Sequence, residues 1–264
     1  MGEQGEHQNE YHDAVVDMLE LIWGKGYMTP GGPNNVKQTV QGLDLRDKLV
    51  LDIGSGIGGP DLVLAGELGA RVIGLDLEAP LIRRAEAYAR EAGLTDRIEF
   101  RQVTPGSTIQ MDDAAIDVVF SCGAFTQIKN KRGMFQEVYR VLKPGGAFAC
   151  YDWMKNEGPY SDDMHYWFEL EGLTYAMDTL ENHGQLLKDV GFVDVELEDT
   201  WRWYRDCCRD EYERMKGLLK AQMIEVLGRD QQKHFVENWR ATVVVLDKGE
   251  MRPGRYRGFK PAKP

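Results

Sequence analysis

The run Val50-Leu51-Asp52-Ile53-Gly54-Ser55-Gly56-Ile57-Gly58-Gly59 constrains this chain more than any other stretch. Its apolar residues make a short strand that carries Asp52 near its end. The glycines that follow let the backbone turn tightly beside a ligand without Cβ interference. A strand that passes through such a turn into a helix is the opening unit of a doubly wound α/β sheet. The rest of the chain keeps the same alternation. Strands are expected over 48–53, 71–77, 98–103, 116–121 and 147–151, with helices over 60–68, 79–92 and 133–142 between them. The last helix stops at Pro144-Gly145-Gly146, because Pro lacks the amide donor and Gly favours a turn. Strands and helices in this order imply a parallel sheet covered on both faces.

Beyond residue 152 the rhythm changes. A polar, aromatic-rich insertion over 153–178 precedes a helix at 181–190 and a sixth strand at 193–198. A long helical stretch over 205–227 then leads to a seventh strand at 240–246, and the basic tail over 251–264 reads as a surface strap. Upstream, residues 11–23 have helical periodicity, with Val15, Met18, Leu19 and Ile22 on one side. The expectation is therefore one α/β domain over 1–264, doubly wound and Rossmann-like, with a mostly parallel seven-stranded sheet. Residues 11–47 form an N-terminal helical lid, 48–152 a cofactor-binding core, and 153–180 with 201–235 helical cap insertions.

The 43 acidic and 32 basic side chains give a formal charge of −11. A nucleic-acid groove needs a basic footprint to displace counterions, so nucleic acid is not an expected partner. Cys122, Cys150, Cys207 and Cys208 lack metal-ligand spacing, and no metal is expected. The leader over 1–10 has no signal pattern, and no apolar run reaches the roughly 18 residues of a membrane span. A cytoplasmic protein without a span is the expectation, and the sequence carries no signal of an oligomeric state.

Asp76 falls at the tip of the second strand, where a carboxylate can accept both hydroxyl hydrogens of a ribose. Dinucleotide-binding domains also use an acid there, but their G-x-G-x-x-G spacing differs from G-S-G-I-G-G. Together with Val141-Leu142-Lys143-Pro144-Gly145-Gly146, these features resemble the class I S-adenosylmethionine-dependent methyltransferases across 48–151. The resemblance implies their Rossmann-like methyltransferase fold, S-adenosyl-L-methionine as cofactor and S-adenosyl-L-homocysteine as product. It implies that Asp52 is among the cofactor-binding residues, that Gly54, Ser55, Gly56 and Gly58 lie along the methionine part, and that Asp76 holds the ribose. Leu77, Thr104 and Pro105 would flank the adenine, while Cys122 and Gly123 would back the methyl-donor pocket.

A finer resemblance rests on Ile22-Trp23-Gly24-Lys25-Gly26-Tyr27-Met28-Thr29-Pro30-Gly31-Gly32 and on Arg255-Tyr256-Arg257-Gly258-Phe259-Lys260. Both are similar to phosphoethanolamine N-methyltransferases. This implies that Tyr11 reaches into the active site and that Tyr27 and Thr29 help hold the cofactor. The chain departs from that family where Gln127 takes the histidine position, Gly123 the aspartate position and Leu173 the phosphate-gripping arginine position. Anion binding leans on charge-assisted bonds, so phosphoethanolamine is not the expected acceptor. Acids and aromatic rings in the insertion suit a cationic or amine acceptor, because π faces attract cations. Trp153, Glu169 and Tyr175, with Gly123, are the expected substrate contacts. Tyr11 and Gln127 are expected at the reacting centre, Gln127 as an orienting group, because an amide does not titrate near neutral pH. The expected reaction is methyl transfer to the nitrogen of a small-molecule amine. The alternatives are an oxygen or sulfur acceptor, or a catalytically silent S-adenosylmethionine-binding protein.

Overall fold

Two helices precede the sheet, α1 (Asp13–Trp23) and α2 (Gly32–Thr39). The computed structural model describes residues 11–106 and 108–262; the leader over 1–10 and the last two positions of the tail lie outside them. β1 (Leu49–Ile53) is buried along nearly its whole length, as a central strand covered on both faces must be. It leads to α3 (Gly59–Leu62), which continues as a π turn over Val63–Glu67. Next come β2 (Arg71–Asp76), α4 (Ala79–Glu91), β3 (Ile98–Gln102), β4 (Ile116–Cys122), α5 (Lys131–Val141) and β5 (Leu142–Asp152). The remainder comprises α6 (Asp162–Glu171), α7 (Leu180–Val190), β6 (Val193–Asp199), α8 (Trp201–Lys216), α9 (Lys220–Leu227), α10 (Arg229–Asp247) and β7 (Gly254–Phe259).

The seven strands form one sheet in the order β3-β2-β1-β4-β5-β7-β6. Pairs among β1 to β5 are parallel, and β7 lies antiparallel between β5 and β6. Successive strands run outward from β1 in one direction, then from β4 in the other. The crevice at the carboxyl ends of β1 and β4 is therefore the switch point where such sheets bind ligands. Side chains alternate across the strands. Leu51, Val119, Phe148 and Tyr256 join Phe135 and Leu187 on one face. Val50, Val72, Phe120 and Ala149 meet Val36 and Leu64 on the other. A third cluster lies off the sheet, where α1, α6, α8, α9 and α10 bury Met18, Trp167, Tyr204, Met223, Trp239 and Val245.

The seventh strand is not where the sequence pattern put it. Residues 240–246 continue α10, whose Asn238, Ala241, Thr242, Val245 and Leu246 recur at helical spacing on its buried side. The β-branched run there favours extended backbone locally, but packing against α6 and α8 decides the outcome. The tail expected to be a surface strap supplies the strand instead. In β7, Tyr256 enters the core, while Arg255 on the opposite side is neutralised by Glu198 and bonded to Asn35 and Gln38. The helix expected over 205–227 breaks near Gly217 into α8 and α9, and the insertion over 153–178 contains α6. Among the described residues, no helix is long and apolar enough to cross a membrane, and no group of His, Cys, Asp or Glu could hold a metal.

Candidate functional site

The turn after β1 is built from backbone bonds that only a glycine-rich segment can make. Gly54 and Ser55 both donate their amides to the Leu75 carbonyl of β2, at 2.8 and 3.0 Å. Gly54 has a φ of +79°, and a Cβ there would lie 2.4 Å from the Ala124 Cβ. The loops after β1 and β4 are thus in contact across the crevice. A Cβ on Gly56 would meet the Met28 sulfur at 3.4 Å, and one on Gly58 would crowd Phe100 at 2.9 Å and Ala85 at 3.0 Å.

Asp76 ties this loop to the next helix. One carboxylate oxygen accepts the Gly56 amide at 2.8 Å and the other the Glu78 amide at 2.9 Å. Glu78 is buried and accepts the Tyr11 amide at 3.4 Å, so Asp76, Glu78 and Tyr11 form one chain of contacts from loop to lid. Glu78 escaped the sequence reading, although an acid two residues past Asp76 was visible. Leu77 follows half-buried, its carbonyl accepting from the Gln102 amide at 3.0 Å. Thr104 and Pro105 are exposed just past β3.

The segment between α1 and α2 reaches the loop through backbone. Gly59 donates to the Gly26 carbonyl at 2.9 Å, and the Tyr27 hydroxyl lies 3.4 Å from the Gly59 carbonyl. The Tyr27 ring is buried in the core with Val36, Val63 and Leu64, so it supports the loop from behind. Thr29 faces the other side of the crevice. Its hydroxyl is 3.3 Å from the Cys122 sulfur, and its methyl would be 2.7 Å from a Cβ on Gly123. Burial, opposed by the Thr29 hydrogen bond, pushes the Cys122 thiol up to about 12, so it stays protonated.

Beneath the loop two carboxyls are buried together. Asp52 and Asp61 are at most 1% exposed, and their carboxyls face each other. Burial first, then the charge of Asp76, pushes Asp52 up to about 8, and burial also raises Asp61. Both bind protons more tightly folded than in an unfolded chain, whose carboxyls titrate near about 4. The folded state therefore holds extra protons from about pH 4 up to the raised values, and the pair's contribution to stability falls as pH rises through that window. Asp61→Asn is expected to shrink the drop in Tm between pH 5 and pH 8; an unaltered drop would refute this account of the pair.

Across the crevice, Gln127 ends a short turn, Phe125–Gln127, past β4, and is half-buried. The turn is held from behind by Lys131. Its ammonium carries three donors and meets three carbonyls: Phe125 at 3.0 Å, Ile128 at 2.9 Å and Ala176 at 2.5 Å. The Ala176 amide returns a bond to the Thr126 carbonyl at 2.7 Å. The Gln127 turn is thereby fastened to the segment carrying Tyr175. Burial lowers the Lys131 pKa, while Asp152 and Asp178 oppose that shift. Lys131→Met leaves the three carbonyls without their donor. Turnover is expected to fall about 10- to 100-fold by misplacement of the turn, with affinity for S-adenosylhomocysteine nearly unchanged. Unimpaired turnover would show that Lys131 does not position the turn.

The cap supplies an aromatic wall. Trp153 stacks on Tyr204 at 5.9 Å and contacts Trp167 at 5.9 Å, and Trp167 stacks on Tyr175 at 4.9 Å. The Tyr175 hydroxyl donates to Glu171 at 2.9 Å. Glu169 is exposed on α6, whereas Glu171 follows Trp167 by four residues and shares its inward side. Of the expected contacts, the structure thus brings Trp153 and Tyr175 to the wall, puts Glu171 beside them and leaves Glu169 in solvent. Burial raises the Glu171 carboxyl despite bonds from Tyr175 and Asn238. Tyr11 packs both against this cap cluster and against Val16, Ile57 and Leu81 beside the glycine loop.

Comparison with known proteins agrees with this arrangement. Residues 51–150 match the family model described as "Methyltransferase domain". The chain is 30% identical over 252 residues to phosphoethanolamine N-methyltransferase 1 of Zea mays, covering 95% of this chain and 49% of that protein. It is 32% identical over 229 residues to sterol 24-C-methyltransferase of Eremothecium gossypii, covering 77% and 60%. The chain spans about half the length of the first of these curated relatives. Phosphoethanolamine N-methyltransferase 2 of Haemonchus contortus, solved with phosphomonomethylethanolamine and S-adenosylhomocysteine, shares the fold. Its TM-score is 0.88 at 24% identity, over 96% of this chain and 59% of that one. With the glycine turn, Asp76 and the switch-point crevice in place, residues 51–150 form a methyltransferase domain, within a chain that has the Rossmann-like methyltransferase fold.

Proposed function

We propose that this chain transfers the methyl group of S-adenosylmethionine to the nitrogen of a small amine held beneath the aromatic cap. In this reading residues 11–47 act as the lid, 48–152 hold the cofactor, and 153–180 with 201–235 cover the acceptor. The observation that carries it is the position of Tyr11, which touches the glycine-loop cluster and the aromatic cap together. The residues present fit the cofactor. A cradle of glycines that a Cβ would fill lies beside Asp76, and the buried Ser55 hydroxyl has no protein partner. Bound there, the cofactor supplies a methyl group on a sulfonium, already joined to a good leaving group.

The protein's task is then alignment, which contributes through geometry more than through acid–base chemistry. Gly54, Ser55, Gly56 and Gly58 line the methionine portion, Asp76 accepts from the ribose, and Leu77, Thr104 and Pro105 border the adenine. Thr29, Cys122 and Gly123 close the donor side. Gln127 and Tyr11 orient the acceptor nitrogen by hydrogen bonds, and Trp153 and Tyr175 give it aromatic faces. Glu171 takes the place proposed from sequence for Glu169. The curated relative from maize is named for an N-methyltransfer, which supports nitrogen as the receiving atom. Leu173 at the position of the phosphate-gripping arginine argues against a phosphate ester.

The test is incubation with S-adenosylmethionine and a metabolite extract, followed by mass spectrometry. Products heavier by one methylene, with the new methyl on nitrogen, are expected together with S-adenosylhomocysteine. Methylation of phosphoethanolamine in preference to other amines would overturn the acceptor assignment.

A further inference from the structure

We propose that the indole N–H groups of Trp153 and Trp167 hold a carboxylate of the acceptor, so that the substrate is a small amino acid or N-methylated amino acid. This deepens the reading above and rests on it.

An indole nitrogen has one donor and no acceptor capacity, so a buried one must find an oxygen or remain unsatisfied. The cap shows both outcomes. Trp23 donates to one oxygen of Glu211 at 2.8 Å, Trp239 to the other at 3.0 Å, and Trp201 to the Leu246 carbonyl at 2.5 Å. Those three indoles are fastened into the helical framework. The indole nitrogens of Trp153 and Trp167 are equally buried and have no partner. Trp167 is 0% exposed, so water does not serve it from the surface.

The two open donors belong to rings in mutual contact, 5.9 Å apart. They sit in the row Tyr204, Trp153, Trp167 and Tyr175, stacked at its two ends and tilted between the indoles, the wall assigned to the acceptor. Of the other polar groups of that wall, the Tyr175 hydroxyl bonds Glu171 and the Tyr204 hydroxyl pairs with the Cys208 thiol. The Lys131 ammonium has spent its three donors on backbone carbonyls. Within the wall this leaves the pair of indole donors for an acceptor oxygen, and the Thr126 hydroxyl beside Gln127 is a further neutral donor without a partner. Neutral donors suit a singly charged, delocalised carboxylate, whereas a doubly charged phosphate is better matched by charge-assisted bonds from a cation. A nitrogen placed at Tyr11 and Gln127 and a carboxylate placed at the indoles describe the two ends of one amino acid.

The experiment uses the full chain with two readouts. In the presence of S-adenosylhomocysteine, binding of glycine, its N-methyl and N,N-dimethyl derivatives, and larger α-amino acids is followed by tryptophan fluorescence and calorimetry. Methylamine, dimethylamine, ethanolamine and phosphoethanolamine serve as the comparison set. At least one carboxylate-bearing amine is expected to bind about tenfold or more tightly than its counterpart without the carboxylate, the worth of one good hydrogen bond. Trp153→Phe and Trp167→Phe, which keep the ring and remove the donor, are each expected to raise KM for that acceptor about tenfold. Affinity for S-adenosylhomocysteine should not change in either variant.

Equal affinity for amines with and without the carboxylate overturns the proposal, as does an unchanged KM in both variants. Absence of binding by every carboxylate-bearing amine overturns it as well. Carboxylate-dependent binding without methyl transfer to any compound leaves this assignment standing and sinks the methyl-transfer reading. Turnover of amines without carboxylate preference does the reverse.

Discussion

Asp76→Ala is expected to raise the dissociation constant for S-adenosylhomocysteine by about 100-fold or more. The carboxylate accepts the Gly56 amide at 2.8 Å and the Glu78 amide at 2.9 Å, so it fixes the loop on one side and the start of α4 on the other. Hydrogen bonds to a charged group contribute about 1.5–3 kcal/mol each. Loss of the ribose contacts proposed above, added to a loosened Gly56, makes a 100-fold change a modest expectation. Asp76→Asn keeps one acceptor oxygen and should fall between wild type and alanine. Calorimetry gives the affinities, and a melting curve separates weakened binding from a lost fold. Wild-type affinity in Asp76→Ala would move the ribose site away from β2.

Gly59→Ala is expected to unseat the lid. Gly59 opens α3, and a Cβ there would stand 2.1 Å from the Gly26 carbonyl oxygen and 2.6 Å from its carbon. Both obstacles are backbone, so no rotamer change relieves them. The substitution must break the Gly59–Gly26 bond or displace the loop. Overpacking of this kind costs about 1–3 kcal/mol, or a fall in Tm of roughly 2–12 °C for a chain this long. Cofactor affinity should drop with it, because Gly56 and Met28 meet at the same seam. Gln222→Ala, at an exposed position on α9, is the control. Equal melting temperatures for the two variants would show that the lid does not depend on this contact.

What could be read from the sequence was local. The glycine turn and Asp76 lie within 27 positions of one another, Val50 to Asp76, and each has a conformational reason that survives any packing. The partners of that turn were harder to read. Glu78 and Lys131 act through contacts 67 and 45 positions away, with Tyr11 and Ala176. The choice between Glu169 and Glu171 was legible in principle, since four residues past a buried Trp167 is inward on a helix and two residues is not. The exchange of strand between 240–246 and Gly254–Phe259 was not. A β-branched run became helix because α6 and α8 pack on it. A strand with arginines on either side of Tyr256 looks solvated until Glu196, Glu198, Asn35, Gln38 and the Gln41 carbonyl are seen around it. Local pattern cannot report charge neutralised by glutamates 57 and 61 positions upstream, or donors satisfied by an amide 220 positions upstream.

The place of β7 also sets an order of events. Among the described strands it is synthesised last, yet it lies between β5 and β6, so both have an open edge until it arrives. Its arginines grip α2 and the residues after it through Asn35, Gln38 and Gln41. Closure of the sheet and capture of α2 are therefore one event with long sequence separation, which makes it slow relative to the βα units already formed. A nascent chain stopped short of Gly254 holds the glycine turn and Asp76 but has two bare strand edges, an aggregation hazard. Ligand affinity and solubility should then emerge together during translation, as the final strand inserts.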